Sequence, residues 1–141
     1  MRVVLDTGVL LAALITADTP PDLIYRAWRK KAFELVSSEW QLEEVRRVSR
    51  YPKLRKYLKP AEVGTLVNGI RHEATVVHAL PNVELSPDPY DNPILAAAIE
   101  GGADYLVTGD KRDLLSLGKI ETVQIITARA FADLLGLTAA D

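Results

Sequence analysis

Apolar residues recur along this chain in short runs, separated by stretches with helical spacing. Residues 3–5 (Val-Val-Leu) form the first run. No polar residue interrupts it, so we predict a strand that is covered on both faces, as in parallel sheets. The run at 105–108 has the same character, and a carboxylate follows each run, at Asp6 and at Asp110. Because open α/β sheets bind ligands at the carboxyl ends of their strands, we expect Asp6 and Asp110 to lie together at that edge.

Strand-like and helix-like segments alternate over the whole sequence. The predicted strands lie at residues 3–5, 33–36, 75–78, 105–108 and 123–126. Periodicity and capping residues predict helices after Asp6, after Thr19, from Ser38 to Tyr51, over 61–73, from Asn92 to Gly101, over 111–117 and from Thr127 to Leu135. We therefore predict an α/β protein in which residues 1–141 form a single domain. The expected architecture is a three-layer α/β/α sandwich with a central parallel sheet.

The helix predicted after Ser38 carries a carboxylate on its apolar face. At about 100° per residue, one broad arc contains Trp40, Leu42, Val45, Val48 and Tyr51. Glu44 falls inside this arc, whereas Glu43 falls outside it among arginines. A buried carboxylate without a partner is costly, so Glu44 either binds a metal ion or pairs with a nearby arginine. Periodicity alone leaves both interpretations open.

Further carboxylates have a structural reason to converge on the same edge of the sheet. The expected cluster is Asp6, Glu44, Asp91 and Asp110, with Asp113 as a possible fifth member. Carboxylates that lie this close repel one another unless cations bridge them. Oxygen ligands without Cys or His favour Mg²⁺ or Mn²⁺, and the chain has only two histidines, in no zinc-ligand spacing. Such a site is suited to the attack of water on a phosphodiester.

Composition narrows the cellular setting and the substrate. The chain has no cysteine and no apolar stretch near the roughly 20 residues of a membrane span, so we expect a cytoplasmic protein without a membrane segment. Net charge is −2, yet residues 46–59 contain seven basic residues and no acidic one. A cationic patch beside an acidic site suits RNA, and we predict substrate contacts from Arg47, Arg50 and Lys53.

At these residues the sequence resembles the PIN domain family. The motifs that carry the resemblance are VVLDT at 3–7, LEEVRRV at 42–48, DPYDN at 88–92, ADYLVTGD at 103–110 and DLL at 113–115. They follow the family order and cover essentially the whole chain. The sequence is most similar to bacterial and archaeal PIN proteins that are toxin components of toxin–antitoxin systems, the VapC-type toxins.

The resemblance implies a PIN-like fold and a Mg²⁺- or Mn²⁺-dependent ribonuclease, often dimeric and often restrained by a cognate antitoxin. By position, it implies that the catalytic and metal-binding acids are Asp6, Glu44, Asp91 and Asp110, with Asp113 auxiliary. Thr108 matches a polar residue beside the site. We predict that Thr108 and Thr7 contact the substrate.

One departure from the family pattern leaves a second function open. The family usually has Asn or Ser two residues after the first Asp, where this chain has Gly8. The alternative is therefore a catalytically impaired PIN-like module that binds RNA or a protein. Asp6-Thr7-Gly8 also spells the active-site triplet of aspartic proteases. The helical periodicity after Gly8 argues against the all-β fold that those enzymes require.

Overall fold

The computed structural model describes residues 1–109 and 111–139, and its strands and helices alternate as the sequence predicts. The strands are β1 (Arg2–Leu5), β2 (Glu34–Ser38), β3 (Thr75–Val77), β4 (Tyr105–Thr108), β5 (Lys119–Ile120) and β6 (Val123–Thr127). The helices are α1 (Thr7–Ile15), α2 (Pro20–Arg29), α3 (Glu39–Ser49), α4 (Pro60–Glu73), α5 (Asn92–Glu100), α6 (Arg112–Leu115) and α7 (Ala128–Leu134). A short 3-10 turn, Pro89–Asp91, precedes α5.

The sheet order determines where a ligand site can lie. The strands are arranged β3-β2-β1-β4-β6-β5, and all neighbours are parallel except β5 and β6. The chain builds the sheet in one direction from β1 to β3, then returns to the other side of β1 with β4. In open α/β sheets, the crevice at such a switch point, outside the carboxyl ends of the strands, is where ligands bind. Here that point lies between the ends of β1 and β4.

Helices cover both faces of the sheet, which confirms the α/β/α architecture. On one face, Val3 and Leu5 of β1 pack in a core with α1, α2, α3, α4 and α7. On the other face, Val4 packs with residues of α5 and with Leu114 of α6. Val3, Val4 and Leu5 are all buried, so the central strand is covered on both faces as its uninterrupted apolar run predicts.

The structure corrects several local expectations. β5 was not predicted, because two residues are too short to show a pattern, and it adds an antiparallel edge to the parallel sheet. Tyr51 is exposed rather than part of the apolar face, since α3 ends at Ser49. Asn92 is not the cap of α5: Asp91 occupies that position, and the Asn92 side chain binds the preceding loop.

Among the described residues, no helix is both long enough and apolar enough to span a bilayer.

Candidate active site

Asp6 is the residue that the sheet places at the switch point. Its backbone N–H donates to the carbonyl of Val107 on β4 at 2.8 Å, which extends the parallel pairing one residue beyond β1. The residue stands at the N-cap of α1, but its carboxylate makes no capping hydrogen bond. Instead, Oδ2 accepts a hydrogen bond from the Thr108 hydroxyl at 2.9 Å, and Asp6 is 5% exposed. Helix capping therefore does not explain this side chain.

The start of α3 is fixed against the end of β1 by a short polar network. Ser38 caps the helix, with its Oγ accepting the N–H of Gln41 at 3.1 Å. The Gln41 amide then donates to the carbonyl of Leu5 at 2.6 Å, and its oxygen accepts from the Ser37 hydroxyl at 2.6 Å. All three polar side chains are buried. The first turn of α3 is thus held beside the residue that precedes Asp6.

Glu44 follows on the next turn of α3 and faces inward. It is 7% exposed, whereas Glu43 is exposed, as the helical periodicity predicts. The Thr7 hydroxyl donates to Oε1 of Glu44 at 2.5 Å, and Arg47 Nη2 lies 3.6 Å from Oε2. The arginine interpretation left open by the sequence is therefore realised in part. The Arg47 side chain is half exposed, so the pair lies at the rim of the site.

Asp91 enters the site from the 3-10 turn before α5 and is 1% exposed. Its Oδ2 accepts from the Ser86 hydroxyl at 2.9 Å. The same loop is held by Asn92, whose Oδ1 accepts the backbone N–H groups of Leu85 and Ser86 at 3.1 and 2.9 Å. Hydrogen bonds from neighbouring side chains therefore satisfy backbone N–H groups of the loop and fix the direction of the Asp91 carboxylate.

Lys111 is a member of the site that the sequence pattern did not reveal. Its Nζ hydrogen-bonds Oδ1 of Asp91 and lies 3.4 Å from Oδ2 of Asp88. Its charge also acts on Asp6 and Glu44. The available signal was its position directly after Asp110, at the end of β4, where the carboxyl edge of the sheet collects ligand-binding residues.

Burial dominates the electrostatics of the carboxylates. Desolvation raises the pKa of Asp6, against the hydrogen bond from Thr108 and the charge of Lys111, and the charge of Asp91 raises it further. Desolvation likewise raises the pKa of Glu44, and the charge of Asp6 adds to that shift. Burial opposes the charged form of Lys111, but its hydrogen bond to Asp91 and the nearby acids raise its pKa overall. Asp6, Glu44, Asp91 and Lys111 therefore form one electrostatic unit.

The donor chemistry of this unit fits a hard cation. Asp6, Glu44 and Asp91 are buried carboxylates that gain from a nearby positive charge, and carboxylate oxygens are the ligands that Mg²⁺ and Mn²⁺ prefer. As placed within residues 1–109 and 111–139, no three acidic or histidine side chains surround a metal position. In this part of the chain, the ammonium of Lys111 supplies the positive charge beside the Asp91 carboxylate. Asp110, the predicted fourth ligand, lies outside the described residues, and Asp113 is exposed on α6.

The residues predicted to contact substrate fall into two groups. Thr7 and Thr108 are buried, and their hydroxyls orient Glu44 and Asp6. Their contact with substrate stays a prediction. Arg47, Arg50 and Lys53 are exposed at or after the C-terminal half of α3. Arg47 reaches the site through Glu44, and Arg50 lines two surface cavities.

Comparison with known proteins identifies the family of this chain. A family model described as the PIN domain matches residues 2–112, and the chain belongs to that family. PIN domains are in general nucleases that use divalent metal ions. The chain is also 30% identical, over 118 residues, to the uncharacterized protein MJ1680 of Methanocaldococcus jannaschii. That match covers 83% of this chain and 75% of the relative.

Proposed function

We propose that this protein is a metal-dependent endoribonuclease that hydrolyses phosphodiester bonds in RNA. One observation carries the proposal: Asp6, Glu44 and Asp91 come from distant segments and are each buried, and the charge of Asp91 acts on Asp6 while the charge of Asp6 acts on Glu44. Desolvation makes this arrangement unfavourable without a compensating positive charge. A fold keeps such a site when function requires it.

The chain's own residues divide the chemical work. Asp6, Glu44 and Asp91 would hold Mg²⁺ or Mn²⁺, with Asp110 as the fourth predicted ligand. When bound, the ion supplies positive charge to the phosphate and acidity to the attacking water. Thr108 and Thr7 keep two of the carboxylates in a fixed orientation. Arg47 at the rim offers a guanidinium to a phosphate oxygen.

A cleavage assay tests the proposed activity. Purified protein is incubated with a labelled RNA in chelator, in Mg²⁺ and in Mn²⁺, beside the Glu44→Gln variant. We expect internal cleavage only with metal, and only by the unmodified protein. Cleavage that persists in chelator, or equal cleavage by both proteins, would identify a contaminating or metal-independent nuclease and end the proposal.

The basic surface of α3 and the turn after it supports RNA as the substrate. We expect that replacing Arg47, Arg50 and Lys53 together with Gln weakens RNA binding at least roughly tenfold. The slope of log affinity against log salt should fall by about 2, because each lost phosphate contact removes ~0.7 for a single strand. The measurement is a salt titration by fluorescence anisotropy. A variant with Lys31, Lys119 and Arg129 changed to Gln loses the same charge elsewhere, and an equal effect there would show that only net charge matters.

Gly8 bears on the alternative of an impaired binding module. It lies in the first turn of α1, is exposed, and a Cβ built there meets no atom within 4 Å. The site thus has room for the Asn or Ser that the family usually carries there. We predict that Gly8→Ser folds at least as stably, since Ser suits a helix better than Gly by about 0.5 kcal/mol, and that cleavage increases several-fold. The measurements are a thermal melt and the RNA assay. Gly8→Ala is the control, since it restores the Cβ without the hydroxyl and should affect stability alone.

The biological role that we propose is that of a toxin in a toxin–antitoxin system, acting in the cytoplasm as a homodimer restrained by an antitoxin. The support is the resemblance to VapC-type toxins. Induced expression in a bacterial host should arrest growth, and Glu44→Gln at the same protein level should not. Normal growth with active, soluble protein would leave the nuclease proposal standing and remove the toxin role. Light scattering of the purified protein tests the dimer.

A further inference from the structure

Tyr90 is an exposed aromatic ring fixed directly beside the carboxylate site. It is 57% exposed, although the next residue, Asp91, is 1% exposed. The ring belongs to the 3-10 turn Pro89–Asp91. The backbone N–H of Tyr90 donates to Oδ1 of Asp88 at 3.0 Å, and Asp88 also lies within ion-pair distance of Lys111. The turn that presents the ring is therefore anchored to the same residues that hold Asp91.

Arg47 connects this ring to the other side of the site. Its guanidinium carbon lies 5.5 Å from the centre of the Tyr90 ring, and its Nη2 lies 3.6 Å from Oε2 of Glu44. One cation thus touches an aromatic surface and a carboxylate from a different element. The guanidinium is half exposed and can exchange either contact for a phosphate. Neither Tyr90 nor its contact with Arg47 was predicted from the sequence.

We propose that Tyr90 and Arg47 form a subsite for one unpaired nucleobase and its phosphate, next to the bond that is cleaved. This inference rests on the proposed function and adds the residues that position one unpaired nucleotide beside the carboxylates. A base stacks on an exposed ring when it is free of its own helix, whereas the bases of an A-form duplex are stacked and paired inside it. The Arg47 guanidinium contacts the adjoining phosphate. The ring then sets which nucleotide lies over the carboxylates.

The chain offers a matched comparison at Tyr57. That residue is 56% exposed, and a lysine ammonium, that of Lys56, lies 5.1 Å from its ring centre. Both tyrosines thus share ring, exposure and a neighbouring cation. Only Tyr90 adjoins a buried carboxylate and shares its cation with Glu44. A general affinity of exposed aromatic residues for RNA would make the two sites equivalent.

The experiment uses the full chain in chelator, which separates binding from cleavage. The probes are short single-stranded RNAs that carry the fluorescent base 2-aminopurine at successive positions around the cleavage point mapped with Mn²⁺. We compare the wild type with Tyr90→Ala, Tyr90→Phe and Tyr57→Ala. We expect quenching of 2-aminopurine at one position next to the cleaved bond, lost in Tyr90→Ala and kept in Tyr90→Phe. Tyr90→Ala should bind roughly tenfold more weakly, and Tyr57→Ala within about twofold of wild type.

Kinetics with Mn²⁺ separate this subsite from the proposed function. We expect Tyr90→Ala to raise KM roughly tenfold with kcat within about threefold, and the same RNA annealed into a duplex to be cleaved poorly by the wild type. Unchanged binding by Tyr90→Ala, an equal loss in Tyr57→Ala, or equal cleavage of duplex would overturn the subsite while the nuclease stands. A wild type that neither binds nor cleaves RNA would overturn both.

Discussion

Replacement of Asp6 by Asn should abolish most RNA hydrolysis and leave the metal-free protein at least as stable as the wild type. The side chain keeps its shape, and its remaining oxygen can still accept the hydrogen bond from Thr108. The substitution removes a buried carboxyl group whose pKa is raised by desolvation and by the charge of Asp91. Activity should fall by about 10²-fold or more, because a metal ion that supplies several kcal/mol to the transition state loses a ligand.

Thermal melts with and without Mn²⁺ test this expectation beside the RNA assay. The wild type should gain stability with Mn²⁺, since a ligand that binds only the folded state stabilises it, and Asp6→Asn should lose most of that gain. Glu43→Gln is the control, because it removes an exposed carboxylate one position before Glu44. It should behave as wild type in all three measurements. Equal Mn²⁺ shifts and intact cleavage in Asp6→Asn would show that Asp6 does not bind the metal.

The pH dependence of stability should differ between the wild type and Asp6→Asn. A raised pKa in the folded state means that the folded chain binds protons at pH values where the unfolded chain has released them. Each such group therefore stabilises the fold at low pH, and that contribution is lost as the pH rises above the ordinary carboxyl range near 4 and through the folded pKa. Asp6 and Glu44 both behave in this way. Between pH 4 and neutrality, in chelator, the wild type should lose stability relative to Asp6→Asn.

Replacement of Lys111 by Met should change stability in the opposite sense to Asp6→Asn: the metal-free protein becomes less stable, and Mn²⁺ stabilises it more. The substitution leaves the buried Asp91 carboxylate without its ammonium partner and removes a positive charge from Asp6 and Glu44. Loss of one member of a buried pair costs ~3–5 kcal/mol. The lysine side chain is 40% exposed, so we expect a smaller loss of about 1–3 kcal/mol in the metal-free protein. A bound metal supplies the missing charge, and Mn²⁺ should therefore stabilise the variant more than it stabilises the wild type.

Titration calorimetry with Mn²⁺ provides a second measurement for Lys111. We expect tighter binding by Lys111→Met, about tenfold, because the ion no longer competes with the ammonium for Asp91. Lys119→Met is the matched control on an exposed strand residue and should change neither stability nor affinity. Weaker Mn²⁺ binding by Lys111→Met would mean that the lysine organises the site for metal instead of competing with it.

The positions of residues that follow from a local pattern were predictable, and contacts between distant segments were not. Asp6 follows an uninterrupted apolar run, and the burial of Glu44 follows from helical periodicity. Both signals lie within a few neighbouring residues. Lys111 acquires its role only when the end of β4 meets the 3-10 turn before α5, a contact between residues 20 positions apart in the sequence. No periodic pattern in the sequence indicates that Lys111 and Asp91 are in contact.

Asn92 and Thr7 also show that the sequence does not reveal which partner a polar side chain binds. Asn is a favoured helix cap, so the propensity was real, but two backbone N–H groups of the preceding loop use its side chain first. The hydroxyl of Thr7 donates to Glu44, 37 positions further along the chain, and no pattern in the sequence indicated this hydrogen bond. A polar side chain binds the partner that tertiary structure brings nearest, and the sequence alone does not name that partner.

The position of β1 in the middle of the sheet has a consequence for folding during synthesis on the ribosome. β1 is synthesised first, but its partner β4 follows about a hundred residues later, and the hydrogen bond from Thr108 to Asp6 spans 102 positions. At ~5–20 residues per second, roughly 5–20 s separate the synthesis of these two residues. During that interval Asp6 has neither its strand neighbour nor its hydroxyl donor. A nascent chain therefore cannot assemble the proposed catalytic centre until β4 has emerged from the exit tunnel, and the proposed nuclease would be inactive while it is being synthesised.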